Sequence, residues 1–367
     1  MKHLLILSLL LGTLACTTSP QTRKSTSEKP DRIIFLIGDG MGLSEVSSVF
    51  YFGDAPSSFG RFRNIGLSKT SSATHKVTDS GASGTALATG TKTYNGAIGV
   101  DTLQNNISNI TEVVSELGWN TGVVSTSSIT HATPASFYAH VKQRGMEEAI
   151  ALQLLDSNID FFAGGGIGYF NRREDGQDLF ASAAAKGFFL DTISLKKAAS
   201  LEPGQKYGYL LAQGGMLPIT EGRGDFLPKA TSLAIAQLSA ENDQFFLMVE
   251  GSQIDWAGHA NNTEYLIGEM LDFEKAIRVA LDFAEKDGHT LVVVTADHET
   301  GGFTLSAGIN EKTGQSDYNI VDPTFATTGH SATLIPVFAY GPGAKEFNGI
   351  YENTALFTKM AALASGN

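Results

Sequence analysis

Three apolar runs in the chain each end on a carboxylate. Residues 33–38 run into Asp39, residues 245–249 into Glu250, and residues 291–296 into Asp297, with His298 next. Unbroken β-branched runs of this length read as strands buried on both faces. Ligands of open α/β sheets gather beyond the carboxyl ends of such strands. Three carboxylates crowded there repel one another unless cations lie among them, so the pattern predicts a multi-metal site. Gly38-Asp39-Gly40-Met41-Gly42 lets the backbone turn sharply and approach an ion. Asp255 and His259 stand four apart, share one face of a helical turn and can grip one ion. The plainer reading is a helix start with Asp255 near its dipole. Asp297 and His298 can both reach one ion if the chain turns after the strand. His330, in Thr328-Gly329-His330-Ser331, is bland by itself. Ser80 precedes a run of small residues that reads as a tightly packed helix start. A serine there meets unpaired N–H groups and the positive helix end, a good place for a phosphoryl oxygen. The competing reading is that Asp79 or Ser80 merely caps the helix.

The elements that position these residues alternate from Arg32 onward. Strands are predicted over 32–38, 121–126, 159–163, 245–250, 291–296 and 335–340. Helices are predicted over 81–89, 109–117, 145–156, 227–240, 264–286 and 353–364. Repeated βα units imply an α/β fold, a three-layer α/β/α sandwich around a mainly parallel central sheet. Residues 301–328 lack strong periodicity and read as an excursion near the site. The 367 residues, 42% hydrophobic, suffice for one large domain over 31–367. A net charge of −12 without a Lys/Arg block argues against nucleic acid as the main partner. It leaves phosphorylated small molecules open, because local metal charge outweighs a distant acidic surface.

Lys2 and His3 precede a short leucine-rich run and small residues, so residues 1–15 read as a secretory signal. Cys16, the sole cysteine, follows Leu14-Ala15 and resembles a bacterial lipobox, in which it is lipidated. The polar stretch to residue 30 reads as a flexible tether. The expectation is an exported, periplasmic, membrane-anchored lipoprotein without an intramolecular disulfide.

Gly38-Asp39-Gly40-Met41-Gly42, Thr78-Asp79-Ser80, Val249-Glu250-Gly251, Asp255-x-x-x-His259, Thr295-Ala296-Asp297-His298 and Thr328-Gly329-His330 occur in that order. Together they resemble the alkaline phosphatase family, over about Arg32 to Gly343. The resemblance implies hydrolysis of phosphate monoesters through a phosphoserine, with two Zn2+ and one Mg2+ per chain. It makes Ser80 the nucleophile. It assigns Asp255, His259 and His330 to one zinc, from loops beyond the strands, and Asp39, Asp297 and His298 to the second. Asp39 and Glu250 are implied as magnesium ligands, with Thr133 of His131-Ala132-Thr133-Pro134 as the hydroxyl ligand. Arg144 stands where the family clamps phosphate. His131 replaces the carboxylate of the enteric branch, and an imidazole favours softer ions. Trp256 replaces that branch's lysine, which implies weaker phosphate holding. The family is commonly dimeric, so a homodimer is expected. The alternatives are a phosphodiesterase or sulfuryl hydrolase of the same superfamily, and a non-catalytic phosphate- or metal-binding lipoprotein.

Overall fold

Runs of Ile, Val, Leu and Phe bury both faces only when helices cover both sides of a sheet. The computed structural model describes residues 29–366 apart from 55, 203 and 241. The signal segment, Cys16 and most of the tether lie outside the described residues. The strands are β1 (Arg32–Gly38), β2 (Asn64–Lys69), β3 (Asn120–Ser128), β4 (Phe161–Gly165), β5 (Phe188–Asp191), β6 (Lys206–Leu210) and β7 (Phe245–Gly251). They continue as β8 (Thr290–Thr295), β9 (Glu299–Thr300), β10 (Thr304–Ile309), β11 (Ser316–Thr324), β12 (His330–Ser331), β13 (Ile335–Tyr340) and β14 (Gly349–Glu352). The helices are α1 (Leu43–Phe52), α2 (Ser80–Thr89), α3 (Ile110–Glu116), α4 (Ala132–Ala135), α5 (Glu147–Asp156) and α6 (Gly168–Asn171). After them come α7 (Leu179–Ala185), α8 (Phe226–Leu238), α9 (Gln253–His259), α10 (Thr263–Asp287) and α11 (Thr354–Ser365).

Ten strands form one sheet in the order β14-β2-β13-β8-β1-β7-β3-β4-β6-β5. Only β13 runs against its neighbours, β2 and β8; the other pairings are parallel. Alternate residues of β1 serve the two layers. Ile33, Phe35 and Ile37 join a core with residues of α3, α5 and α11, while Ile34 and Leu36 join one with α8 and α10. This is the three-layer α/β/α sandwich around a mainly parallel sheet.

Register sets the position of the site. Ile37 pairs with Glu250 on one side and Thr295 on the other, and Ser125 pairs with Glu250. The three strand-end carboxylates thus emerge at one edge of the sheet's centre. Two expectations need correction. Residues 301–328 hold the antiparallel β10–β11 hairpin, whose apolar alternation (Leu305, Ala307, Ile309) is short and whose residues are mostly exposed. His330 stands on the short strand β12 rather than in a loop, while Asp255 and His259 share helix α9 as their spacing of four predicts.

Candidate metal and phosphoryl site

Asp39 follows β1 and begins a turn completed by Gly40, whose φ is +78°. A Cβ on Gly40 would stand 2.7 Å from the Asp255 Cα, so glycine there also lets α9 close onto the turn. Gly40 N–H donates to Asp297 Oδ1 at 3.2 Å, tying the ends of β1 and β8 together.

Asp255, His259 and His330 converge. The Asp255 Oδ1 lies 3.3 Å from His259 Nε2 and 3.5 Å from His330 Nε2, and the two Nε2 atoms are 3.1 Å apart. His259 Nδ1 faces the Thr328 carbonyl at 2.6 Å, and His330 Nδ1 faces the Thr78 carbonyl at 2.8 Å. A carbonyl only accepts, so both protons sit on Nδ1 and two Nε2 lone pairs point at each other. Such a pair is repulsive unless a cation lies between. A tetrahedral ion with bonds of about 2.0–2.1 Å has ligand–ligand edges of roughly 3.4 Å, the spacing found here.

Asp39, Asp297 and His298 form the second set, their ligand atoms within 4.8 Å of one another. His298 Nε2 lies 3.3 Å from Asp297 Oδ2, 3.6 Å from Asp39 Oδ1 and 3.3 Å from Ser80 Oγ. Asp39 Oδ1 and Asp297 Oδ2 are buried without a hydrogen-bond partner among the described residues. Burial, reinforced by Asp297, Asp255 and Glu250, pushes the Asp39 carboxyl well above the usual range. Burial raises Asp297 as well, and it depresses the His298 imidazole to about 3. A buried acid set beside a neutral imidazole, with orphaned oxygens, fits a cation. Zinc suits both sets, because their donors are imidazole nitrogens and carboxylate oxygens.

The third set is Asp39, Glu250 and His131, again within 4.8 Å. Thr133 Oγ1 lies 3.4 Å from Asp39 Oδ2. Ser125 and Ser252 hydroxyls each donate to Glu250 Oε2 at 2.5 Å, while Oε1 has no partner among the described residues. Burial drives Glu250 up to about 7. Oxygen donors dominate this set and fit a hard ion such as magnesium. The His131 Nε2 accepts from Arg144 at 3.0 Å, and burial with the Arg144 charge holds that imidazole near 3.

Ser80 opens α2, and Asp79 is the residue that caps it, accepting from Ala82 N–H at 3.0 Å. Asp79 also accepts from Gly96 N–H at 3.0 Å and from Arg144 at 3.1 Å. Against the cost of burial, those N–H groups and Arg144 hold the Asp79 carboxyl below its usual range. Arg144 is thereby stretched between Asp79 and His131, across the start of α2. Trp256 on α9 meets His131 edge-on, ring centroids 6.1 Å apart.

All the residues expected at the site come together. Sequence reasoning missed the partners that orient them. Thr300 Oγ1 donates to Asp255 Oδ1 at 2.6 Å and lies 3.2 Å from His298 Nδ1. Its position two residues after His298 on an extended segment was the available signal, since i and i+2 share a face. Ser252, two residues after Glu250, offered the same signal; Ser125 offered none, because its role depends on strand register.

The sequence signature of the family described as alkaline phosphatase matches residues 31–320. Alkaline phosphatase 4 of Bacillus subtilis is 32% identical over 94% of this chain and 92% of its own length. Alkaline phosphatase of Escherichia coli is 32% identical, with 93% and 87% covered. Among solved structures, alkaline phosphatase from the Antarctic bacterium TAB5 superposes with a TM-score of 0.90 at 53% identity, covering 92% of this chain and 98% of that one. A histidine-to-glutamate mutant of that enzyme has magnesium bound in its M3 site.

Proposed function

The chain belongs to the alkaline phosphatase family, and we propose that it hydrolyses phosphate monoesters through a phosphoserine on Ser80. The observation that carries this reading is the convergence of His259, His330 and Asp255 on one point, with Ser80 Oγ beside His298 in the adjoining set. Asp255, His259 and His330 would hold one zinc; Asp39, Asp297 and His298 would hold the other; Asp39, Glu250 and Thr133 would hold the magnesium, with the His131 imidazole beside them turned to Arg144. Zinc, when bound, offsets the dianion's charge and lowers the pKa of a coordinated hydroxyl or water.

The residues supply the rest. The N-terminal N–H groups of α2 face the position of a phosphoryl group on Ser80. Arg144 makes a bidentate contact with two non-bridging oxygens, and Asp79 aims its guanidinium. Ser80 Oγ attacks phosphorus, the ester P–O bond breaks and the alcohol departs with a proton. Water then attacks the phosphoserine, the P–Oγ bond breaks, and phosphate leaves with Ser80 restored. These groups touch only the phosphoryl unit, so the range of alcohols is broad. Ser80→Ala keeps the bound metals and loses most turnover of a chromogenic monoester. Full turnover in that variant, with metal content verified, refutes the nucleophile.

The mature enzyme is exported and anchored through lipidated Cys16. No helix among the described residues is long and apolar enough to cross a membrane. It works as a homodimer. Leu43, Phe50 and Tyr51 on α1 and Ile309, Tyr318 and Ile320 on the adjoining β10–β11 hairpin are exposed, a face suited to a second copy. Sedimentation of the purified enzyme at micromolar concentration reads as a dimer; a monomer there removes that assignment.

A further inference from the structure

Between β6 and α8 the chain crosses the catalytic edge of the sheet as a strap, residues 211–217. It is stapled on both sides. Gly166 and Ile167 N–H groups donate to the Ala212 carbonyl at 2.9 and 3.0 Å, and Leu211 N–H donates to the Gly164 carbonyl at 2.8 Å. Met216 N–H donates to the Thr126 carbonyl at 3.1 Å, and Gln253 Nε2 bridges the Thr126 and Met216 carbonyls at 2.9 and 2.7 Å. Beyond it, the buried Arg223 donates to the Leu217 carbonyl and pairs with Glu269 and Asp272 on α10. The strap lies so close to β4 that a Cβ on Gly165 would overlap the Gly214 carbonyl, at 1.9 Å.

One point of this strap touches the site. A Cβ on Gly215 would stand 2.6 Å from Trp256 Cη2 and 3.1 Å from Cζ3. The bare Gly215 backbone is therefore the wall behind the indole. The indole meets His131 edge-on, and His131 Nε2 accepts from the phosphate-clamping Arg144 at 3.0 Å. Contacts thus run without a break from strap to indole to imidazole to guanidinium.

We propose that Gly215 is a positioning residue: through Trp256 and His131 it sets where Arg144 stands, and so how tightly phosphate is held. The inference rests on the functional reading above. Gly215 does not adopt positive φ. Alanine there is therefore compatible with the backbone and reads the ring contact alone. Gly214, its neighbour, also avoids positive φ and has nothing within 4 Å of a Cβ, which makes it the matched control.

The test is a double-mutant cycle on the metal-loaded enzyme, with inorganic phosphate as inhibitor. Gly215→Ala raises KM and the phosphate Ki by about threefold or more, the scale of directly coupled neighbours, and leaves kcat and metal content near those of the parent. Gly214→Ala leaves Ki unchanged. In a Trp256→Ala background, Gly215→Ala has no further effect. An equal Ki change with and without Trp256, or the same change from Gly214→Ala, overturns the proposal. Should Gly215→Ala fail to fold, recovery of folding in Gly215→Ala/Trp256→Ala supports the contact, and failure of both overturns it. Fluorescence gives an arm independent of turnover. With Trp119→Phe, Trp256 is the sole indole of the chain, and its emission shifts in Gly215→Ala but not in Gly214→Ala. An unshifted spectrum overturns the proposal even if the unaltered enzyme hydrolyses no monoester, an outcome that would instead sink the functional reading.

Discussion

The Thr300 hydroxyl has one proton, and Asp255 Oδ1 at 2.6 Å takes it. Its oxygen must then accept from His298 Nδ1 at 3.2 Å. That fixes His298 as the Nδ1–H tautomer, with its Nε2 lone pair aimed at the ion position. One side chain therefore orients a residue in each of the two His/Asp clusters. Thr300→Val keeps the shape and removes both bonds. Loss of such an orienting partner typically weakens metal affinity by about 10–100-fold. Zinc titration against a competing chelator should show that loss, with activity restored at higher zinc. Unchanged zinc affinity would mean the hydroxyl is only packing. His131 presents a contrast at this scale. Its Nε2 faces Arg144, so the third set relies on oxygen from Asp39, Glu250 and Thr133.

Helix α2 reads Ser-Gly-Ala-Ser-Gly-Thr-Ala-Leu-Ala-Thr, and every one of its residues is buried. The small side chains let it lie against α4, which carries Thr133. A Cβ on Gly84 would meet Ser136 Oγ at 2.9 Å and the Thr133 Cα at 3.4 Å. Ser136 Oγ is held by the Ala132 carbonyl at 2.9 Å and cannot swing away without losing that bond. Alanine gains about 1 kcal/mol of helix propensity, whereas overpacking costs about 1–3 kcal/mol. The clash prevails because both elements are buried. Gly84→Ala should lower the urea midpoint and reduce kcat, since α2 carries Ser80 and α4 carries Thr133. A midpoint at or above that of the parent would show that the two helices can part freely. The helices and strands legible in the sequence were those with a long buried stripe: β1, β7 and β8 have no exposed residue to interrupt them. Edge strands β14 and β5 and the β10–β11 hairpin were not legible, because they are short or half-exposed. The ligand residues were visible as types at strand ends. Ser125, which orients Glu250 from the neighbouring strand, was not, because β3 beside β7 is a fact of topology.

At the scale of the whole molecule, the site is a local excess of buried acid in the centre of the fold. Burial raises the Asp39, Asp297 and Glu250 carboxyls, Glu250 to about 7, and depresses the His131 and His298 imidazoles to about 3. Metal binding needs the three carboxyls and His298 deprotonated, so the ions and the fold stabilise each other. The signs for the chelated protein follow from linkage. A raised carboxyl stabilises fully below its unfolded pKa of about 4, and the contribution is lost as pH rises through the folded value. A depressed imidazole acts oppositely: its penalty fades as pH rises from about 3 to the unfolded value of about 6.5. The two trends oppose each other up to about pH 6.5. Above it the Glu250 contribution is still being lost, as pH passes through about 7, and so is that of His140, whose imidazole its Glu112 and Gly99 partners hold above the usual range despite burial. The chelated enzyme should therefore show a denaturation midpoint that falls as pH rises from about 6.5 to about 8, while the metal-loaded enzyme holds its midpoint over the same range. Urea melts at half-unit pH steps, with and without chelator, measure both curves. A chelated midpoint that stays level or climbs across that window would mean the buried carboxyls find cations other than the metals.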